Sequence, residues 1–155
     1  MKNTYIVFDL DGTLVNSLPG IAVGVNKALV SMGREPHATS AIRSMIGQGV
    51  RHLAACALSY NDEASAPADE MEAFLRAFRQ EYAESWQGEG TIPYPGITEM
   101  LTRLVSIGAH LAVLTNKPHD VTLPMVQELF RPVPSCPSSG TWESSPANRT
   151  PSPCK

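Results

Sequence analysis

Cysteine is scarce in this chain of 155 residues: Cys56, Cys136 and Cys154 are odd in number and share no metal-like spacing. That usage argues against a disulfide framework and fits a reduced, cytoplasmic protein. No apolar stretch approaches the length that spans a bilayer. The apolar run before Asp9 is too short for a signal peptide. The net charge is only −3 and the basic residues are scattered, so neither nucleic acid nor a membrane is an expected partner. There is no internal repeat. With 43% hydrophobic residues, the chain can bury one real core arranged as one or two small domains.

Tyr5-Ile6-Val7-Phe8 is a short β-rich run that ends in acidic and glycine residues, and it reads as a buried parallel-type strand. From about Pro19 to Gly90 the pattern is helical. Ile21, Val25, Ala28, Leu29 and Met32 form one stripe, stopped by Gly33. Val50, Leu53, Ala54, Ala57 and Leu58 form another. The clearest helix runs from Asp69 to Trp86, with Met71, Leu75, Phe78 and Tyr82 at helical spacing. Pro95-Gly96 then opens a helix with Ile97, Met100, Leu101, Leu104 and Val105 inward, closed by Gly108. A strand over 110–115 and a helix around Val121 to Phe130 follow. A strand, a long helical insertion, then helix–strand–helix describes an α/β fold: a doubly wound sheet interrupted by an all-α module.

Ligand sites of open α/β sheets lie at the carboxyl ends of their strands, where Asp9 and Asp11 fall. Two carboxylates that close repel each other unless a cation lies between them or one holds a proton. A hard divalent ion suits them, and magnesium is the usual choice where phosphate is handled. One carboxylate can attack phosphorus while the other protonates the leaving oxygen. Gly12 lets the backbone turn tightly beside a ligand, and Thr13 adds a hydroxyl. A polar turn after a strand would use the same residues. An EF-hand loop would not, because Thr13, Val15 and Ser17 break the alternation of acidic ligands.

Val7-Phe8-Asp9-Leu10-Asp11-Gly12-Thr13-Leu14-Val15 closely resembles the first motif of haloacid-dehalogenase-type (HAD) phosphatases. Relatives usually carry Asp where this chain has Asn16, a mild departure that spares the nucleophile. Leu114-Thr115-Asn116-Lys117-Pro118 is similar to the second motif, in the form found in phosphoglycolate phosphatases. The resemblance implies an incomplete Rossmann-like parallel core over 1–18 and 91–130, with an inserted helical cap over 19–90. It implies Asp9 as nucleophile, Asp11 as acid and base, and Thr115, Asn116, Gly12 and Thr13 around the phosphoryl group. Magnesium would sit on Asp9 and Asp11. Capping the next helix is the plain alternative for Thr115 and Asn116. Lys117 is not expected to be the catalytic lysine, which in the family comes later in a Lys-Pro-x-Pro segment; a local phosphate-side or surface charge is expected instead. Ile46-Gly47-Gln48-Gly49-Val50-Arg51 resembles the family's cap loop and makes Gln48 and Arg51 candidate substrate contacts. A helix–helix turn with an exposed arginine accounts for it equally well. His37, His52, His110 and His119 show no ligand spacing and are expected on the surface or in packing.

The lysine segment and a later Gly-Asp-x-x-x-Asp motif are both missing after Phe130. Residues 131–155 instead hold six prolines and six serines without periodicity, which reads as a disordered tail. Degenerate back-translation in a shifted frame lets Ala147-Asn148-Arg149-Thr150-Pro151 encode Lys-Pro-x-Pro. The expectation is therefore a truncated or frameshifted chain, to be decided by resequencing across the Phe130–Arg131 codons. A complete enzyme of this kind would hydrolyse a small phosphorylated metabolite, phosphoglycolate foremost, through an aspartyl-phosphate. Pyrophosphatase, phosphosugar mutase and phosphonatase chemistries share similar caps. An inactive fragment or a binding module is the non-enzymatic alternative, because each missing charge-stabilising group is worth on the order of several kcal/mol.

Overall fold

A computed structural model describes residues 4–131 and 133. The elements run β1 (Tyr5–Phe8), β2 (Val15–Asn16), α1 (Leu18–Ser31), α2 (Thr39–Met45), α3 (Val50–Ala57), α4 (Ala68–Ser85), a 3-10 turn (Gly88–Gly90), β3 (Ile92–Pro93), α5 (Ile97–Ser106), β4 (His110–Val113) and α6 (His119–Leu129). The described residues divide into an α/β unit, 4–16 with 92–131 and 133, and a helical unit, 17–91. The tail expected over 131–155 lies outside the described residues apart from Arg131 and Val133, as do Cys136 and Cys154.

In the helical unit, α1 begins with Pro19 in its first turn, where the missing N–H costs nothing. It buries Ile21, Val25, Ala28 and Leu29 mainly against α4. Gly33, at φ +71°, ends it: its N–H donates to the Val30 carbonyl, and the Arg34 N–H reaches back to that of Leu29. These two bonds form the paired closure of a left-handed helix cap. On α4, Met71, Phe74, Leu75, Phe78 and Tyr82 are all buried. Phe78 stacks between Phe74 and Tyr82, at ring separations of 6.1 and 5.2 Å, as i, i+4 spacing allows. The sequence reading did not separate out α2, whose roughly two turns bury only Ile42 and Met45.

A polar clasp ties three segments of this unit. The Arg34 guanidinium donates to the Leu58 carbonyl at 3.1 Å and pairs with Glu70, which also accepts from the Tyr60 hydroxyl. The Tyr60 hydrogen bond, with Arg34 adding to it, holds the Glu70 carboxyl below its ordinary value near 4.5. A depressed folded value means the clasp contributes fully above about 4.5 and loses its contribution as pH falls through the lower folded value. Chemical denaturation of wild type and Glu70→Gln should therefore differ near pH 7 and converge in acid. A difference that stays constant with pH would rule out this role.

In the α/β unit, β1 and β4 pair in parallel with Phe8 opposite Val113. The ladder continues one step further, the Leu114 N–H donating to the Phe8 carbonyl at 2.8 Å. Burial departs from expectation here. Tyr5 is 69% and Val7 60% exposed, so β1 is not a buried strand. Among the described residues only β4 flanks it, which leaves one edge and much of one face open. The same shortage of sheet shows on α5: Leu101 is buried, Leu104 and Val105 are half-buried, and Met100 is exposed rather than inward. A short antiparallel pair joins β2 to β3, with Val15 opposite Pro93. Nothing in the period-two pattern of so short a strand announced it.

Candidate active site

The loop after β1 is shaped by where its leucines go. Leu10 and Leu14 are buried, while Asp9, Gly12 and Thr13 are exposed and Asp11 is partly covered. The Leu10 carbonyl accepts from the N–H groups of Thr13, Leu14 and Val15, curling the chain into a tight turn. Gly12 sits within it at φ +80°, a conformation that costs an L-residue strain. Its own N–H donates to the Val15 carbonyl at 2.9 Å, so Gly12 contributes shape to the loop. The Asp9 Oδ1 accepts from the Leu10 N–H at 2.8 Å.

Because Phe8 and Val113 are in register, the loops after β1 and β4 leave the same end of the sheet. The second loop carries Thr115, Asn116 and Lys117. Thr115 is buried, and its Oγ1 accepts from the Lys117 N–H at 3.2 Å. A hydroxyl that accepts in this way keeps its hydrogen for donation to another partner. Neither Thr115 nor Asn116 caps α6, which starts after Pro118 at the N-cap position. The capping alternative thus loses its support in this structure.

Of the two places expected for Lys117, a local phosphate-side charge or a surface charge, the structure excludes the second. It is not a surface charge: its side chain is 5% exposed and its Nζ lies 3.1 and 3.3 Å from the two carboxylate oxygens of Asp11. Burying an ammonium is costly unless a counter-charge compensates it, and Asp11, its side chain 15% exposed, supplies one. The two residues are far apart in sequence, and only the pairing of β1 with β4 could have signalled their meeting.

Two hard carboxylates at one strand end match the oxygen chemistry of magnesium, which keeps several waters and accepts one or two protein carboxylates. The donor types therefore fit, although no group of three His, Cys, Asp or Glu suited to a metal occurs among the described residues. The cap-loop candidates belong to the helical unit. Gly47 and Gly49 adopt positive φ there, and Gln48 is exposed. Exposed Arg51 donates to Glu72 at 2.8 Å and lies 3.6 Å from Glu63. Pairs so exposed are worth little and exchange readily. Of the histidines, His37 donates from Nε2 to the Ala57 carbonyl at 2.8 Å, and His110 stacks on Tyr5. His52 is buried, with its Nε2 3.4 Å from the Cys56 sulfur. Exposed His119 opens α6. Among the described residues no helix is long and apolar enough to cross a membrane.

The sequence profile of the haloacid dehalogenase-like hydrolases matches residues 6–130, and the chain belongs to that family. Its fold is accordingly an incomplete HAD-like α/β core carrying a helical insertion. Among its relatives, the phosphoglycolate phosphatase of Pseudomonas savastanoi pv. phaseolicola is 36% identical over 129 residues, covering 80% of this chain and 45% of the relative. Phosphoglycolate phosphatase 1 of Pseudomonas aeruginosa is 38% identical over 125 residues, with the same shares covered. A Haemophilus somnus crystal structure, described as a predicted phosphoglycolate phosphatase, superposes with a TM-score of 0.71 at 33% identity. That match covers 83% of this chain and 58% of the other. The chain thus spans a little under half the length of the curated relatives it matches.

Proposed function

We propose that this chain carries the nucleophile-bearing part of a phosphomonoester hydrolase acting on a small phosphorylated metabolite, phosphoglycolate foremost. The observation that carries the reading is the register of β1 and β4. It brings the Asp9–Asp11 loop and the Thr115–Asn116 loop to one end of the sheet. Asp9 attacks phosphorus as the bond to the leaving oxygen breaks, and Asp11 delivers a proton to that oxygen. Water then attacks the aspartyl-phosphate, Asp11 takes its proton, and phosphate departs from Asp9. Thr115 and Asn116 hold the phosphoryl oxygens, with Gly12 and Thr13 shaping the opposite wall. A bound magnesium ion, held by Asp9 and Asp11, would neutralise phosphoryl charge. The helical unit serves as a cap, with Gln48 and Arg51 offered to the substrate. The setting is cytoplasmic.

A second reading, a catalytically inactive partial product, draws on the incomplete sheet and the share of the relatives that is covered. The segment after Phe130, where the family match also stops, is proposed to be out of frame. Magnesium-dependent hydrolysis of an aryl phosphate by the 155-residue chain, with Asp9→Asn as control, separates the readings. Weak turnover abolished by Asp9→Asn is the expected result. Equal turnover by both proteins sinks the assignment of Asp9, and none from either supports the inactive product.

A further inference from the structure

We infer that Lys117 is the positioning residue of this site, its ammonium holding the Asp11 carboxylate and adding the positive charge that a bound phosphoryl group requires. The inference rests on the phosphatase reading and gives Lys117 a part that the family resemblance assigned to a later lysine. Its backbone is fixed from both sides. The Lys117 N–H donates to Thr115 Oγ1 at 3.2 Å, and its carbonyl accepts from Thr122 Oγ1 at 3.3 Å. Pro118 follows with φ at −54°, so the chain leaves the loop in a set direction. Thr115 and Lys117 are thereby locked together, one bearing the hydroxyl and the other the cation.

The ammonium meets both oxygens of Asp11, at 3.1 and 3.3 Å, each longer than the roughly 2.7–2.9 Å of a tight charge-assisted bond. A lysine behaves as a compact point charge whose donors rotate, so it can turn towards an arriving anion while still facing Asp11. With the side chain largely removed from water, that charge acts through a low dielectric, where it is worth most. A purely structural ion pair would be indifferent to phosphate. A positioning residue would couple Asp11 to it.

The test uses the full 155-residue chain and two variants, Lys117→Met and Lys117→Arg, each first shown to be folded by circular dichroism. Two readouts are taken near neutral pH with magnesium present: inorganic phosphate affinity by calorimetry, and the carboxyl carbon-13 shift of Asp11. Lys117→Met should weaken phosphate binding about tenfold and move the Asp11 resonance; Lys117→Arg should keep most of the affinity. An Asp11 resonance unchanged in Lys117→Met overturns the inference. So does phosphate affinity that is the same in wild type and Lys117→Met. If the wild-type chain binds no phosphate, the phosphatase reading fails, and the Asp11 resonance alone decides whether Lys117 positions that carboxylate.

Discussion

Gly90→Ala should lower the stability of the helical unit by about 3 kcal/mol or more, a melting-temperature drop on the order of 15 °C. A methyl group at Gly90 would be driven into the Ser85 carbonyl oxygen, well inside van der Waals contact, and would lie 2.9 Å from the Ser85 carbonyl carbon. Those atoms are backbone at the end of α4, so no rotamer change can relieve the clash. Gly20, on the first turn of α1, is caught in the same place. A methyl group there would stand 2.6 Å from the Ser85 carbonyl oxygen and 2.8 Å from that of Gly90. The approach is held by the Ser85 hydroxyl, which donates to the Gly20 carbonyl at 2.9 Å. Gly20→Ala should behave like Gly90→Ala. Gly33→Ala meets open space and suffers only its positive φ, and should cost about 1 kcal/mol. Denaturant titrations followed by circular dichroism would show the ranking, and Gly90→Ala within 0.5 kcal/mol of wild type would refute the close approach.

Removing Asp11 should destabilise the α/β unit more than its modest size suggests. Asp11→Ala removes the carboxylate that meets the buried Lys117 ammonium at 3.1 Å, and breaking a buried pair costs about 3–5 kcal/mol. Because Asp11 retains some contact with water, about 2–3 kcal/mol is the expected loss. The double variant Asp11→Ala/Lys117→Met should recover most of it, since an apolar side chain of similar length is content in that setting. A double-mutant cycle by urea unfolding reads the coupling directly. Additive losses would show that the two charges do not depend on each other. The recovered stability should come with no phosphate turnover, which separates what holds this loop together from what it does.

Much of this was legible before any coordinates. The helical stripes of α1, α3 and α4 are long enough for apolar spacing to outvote local noise, and Gly33 marked a real stop. The motif around Asp9 declared itself because two carboxylates, a glycine and a threonine follow a short apolar run, a pattern local to a few residues. Thr115 could be placed for the same reason, at the end of a short apolar strand. Met100 on α5 was misread because periodicity names a face without saying whether anything covers it. β1 was misread likewise, its apolar run implying neighbours on both sides where β4 alone pairs with it among the described residues. Local sequence by itself therefore determined where the long helices α1, α4 and α5 run and which residues are candidates for the chemistry. Tertiary structure alone decided that Lys117 meets Asp11, because that contact exists only once β1 and β4 pair in register. Hydrogen-bond register between distant strands leaves no periodic trace in either segment, and the charge it brings together is invisible until the strands are side by side.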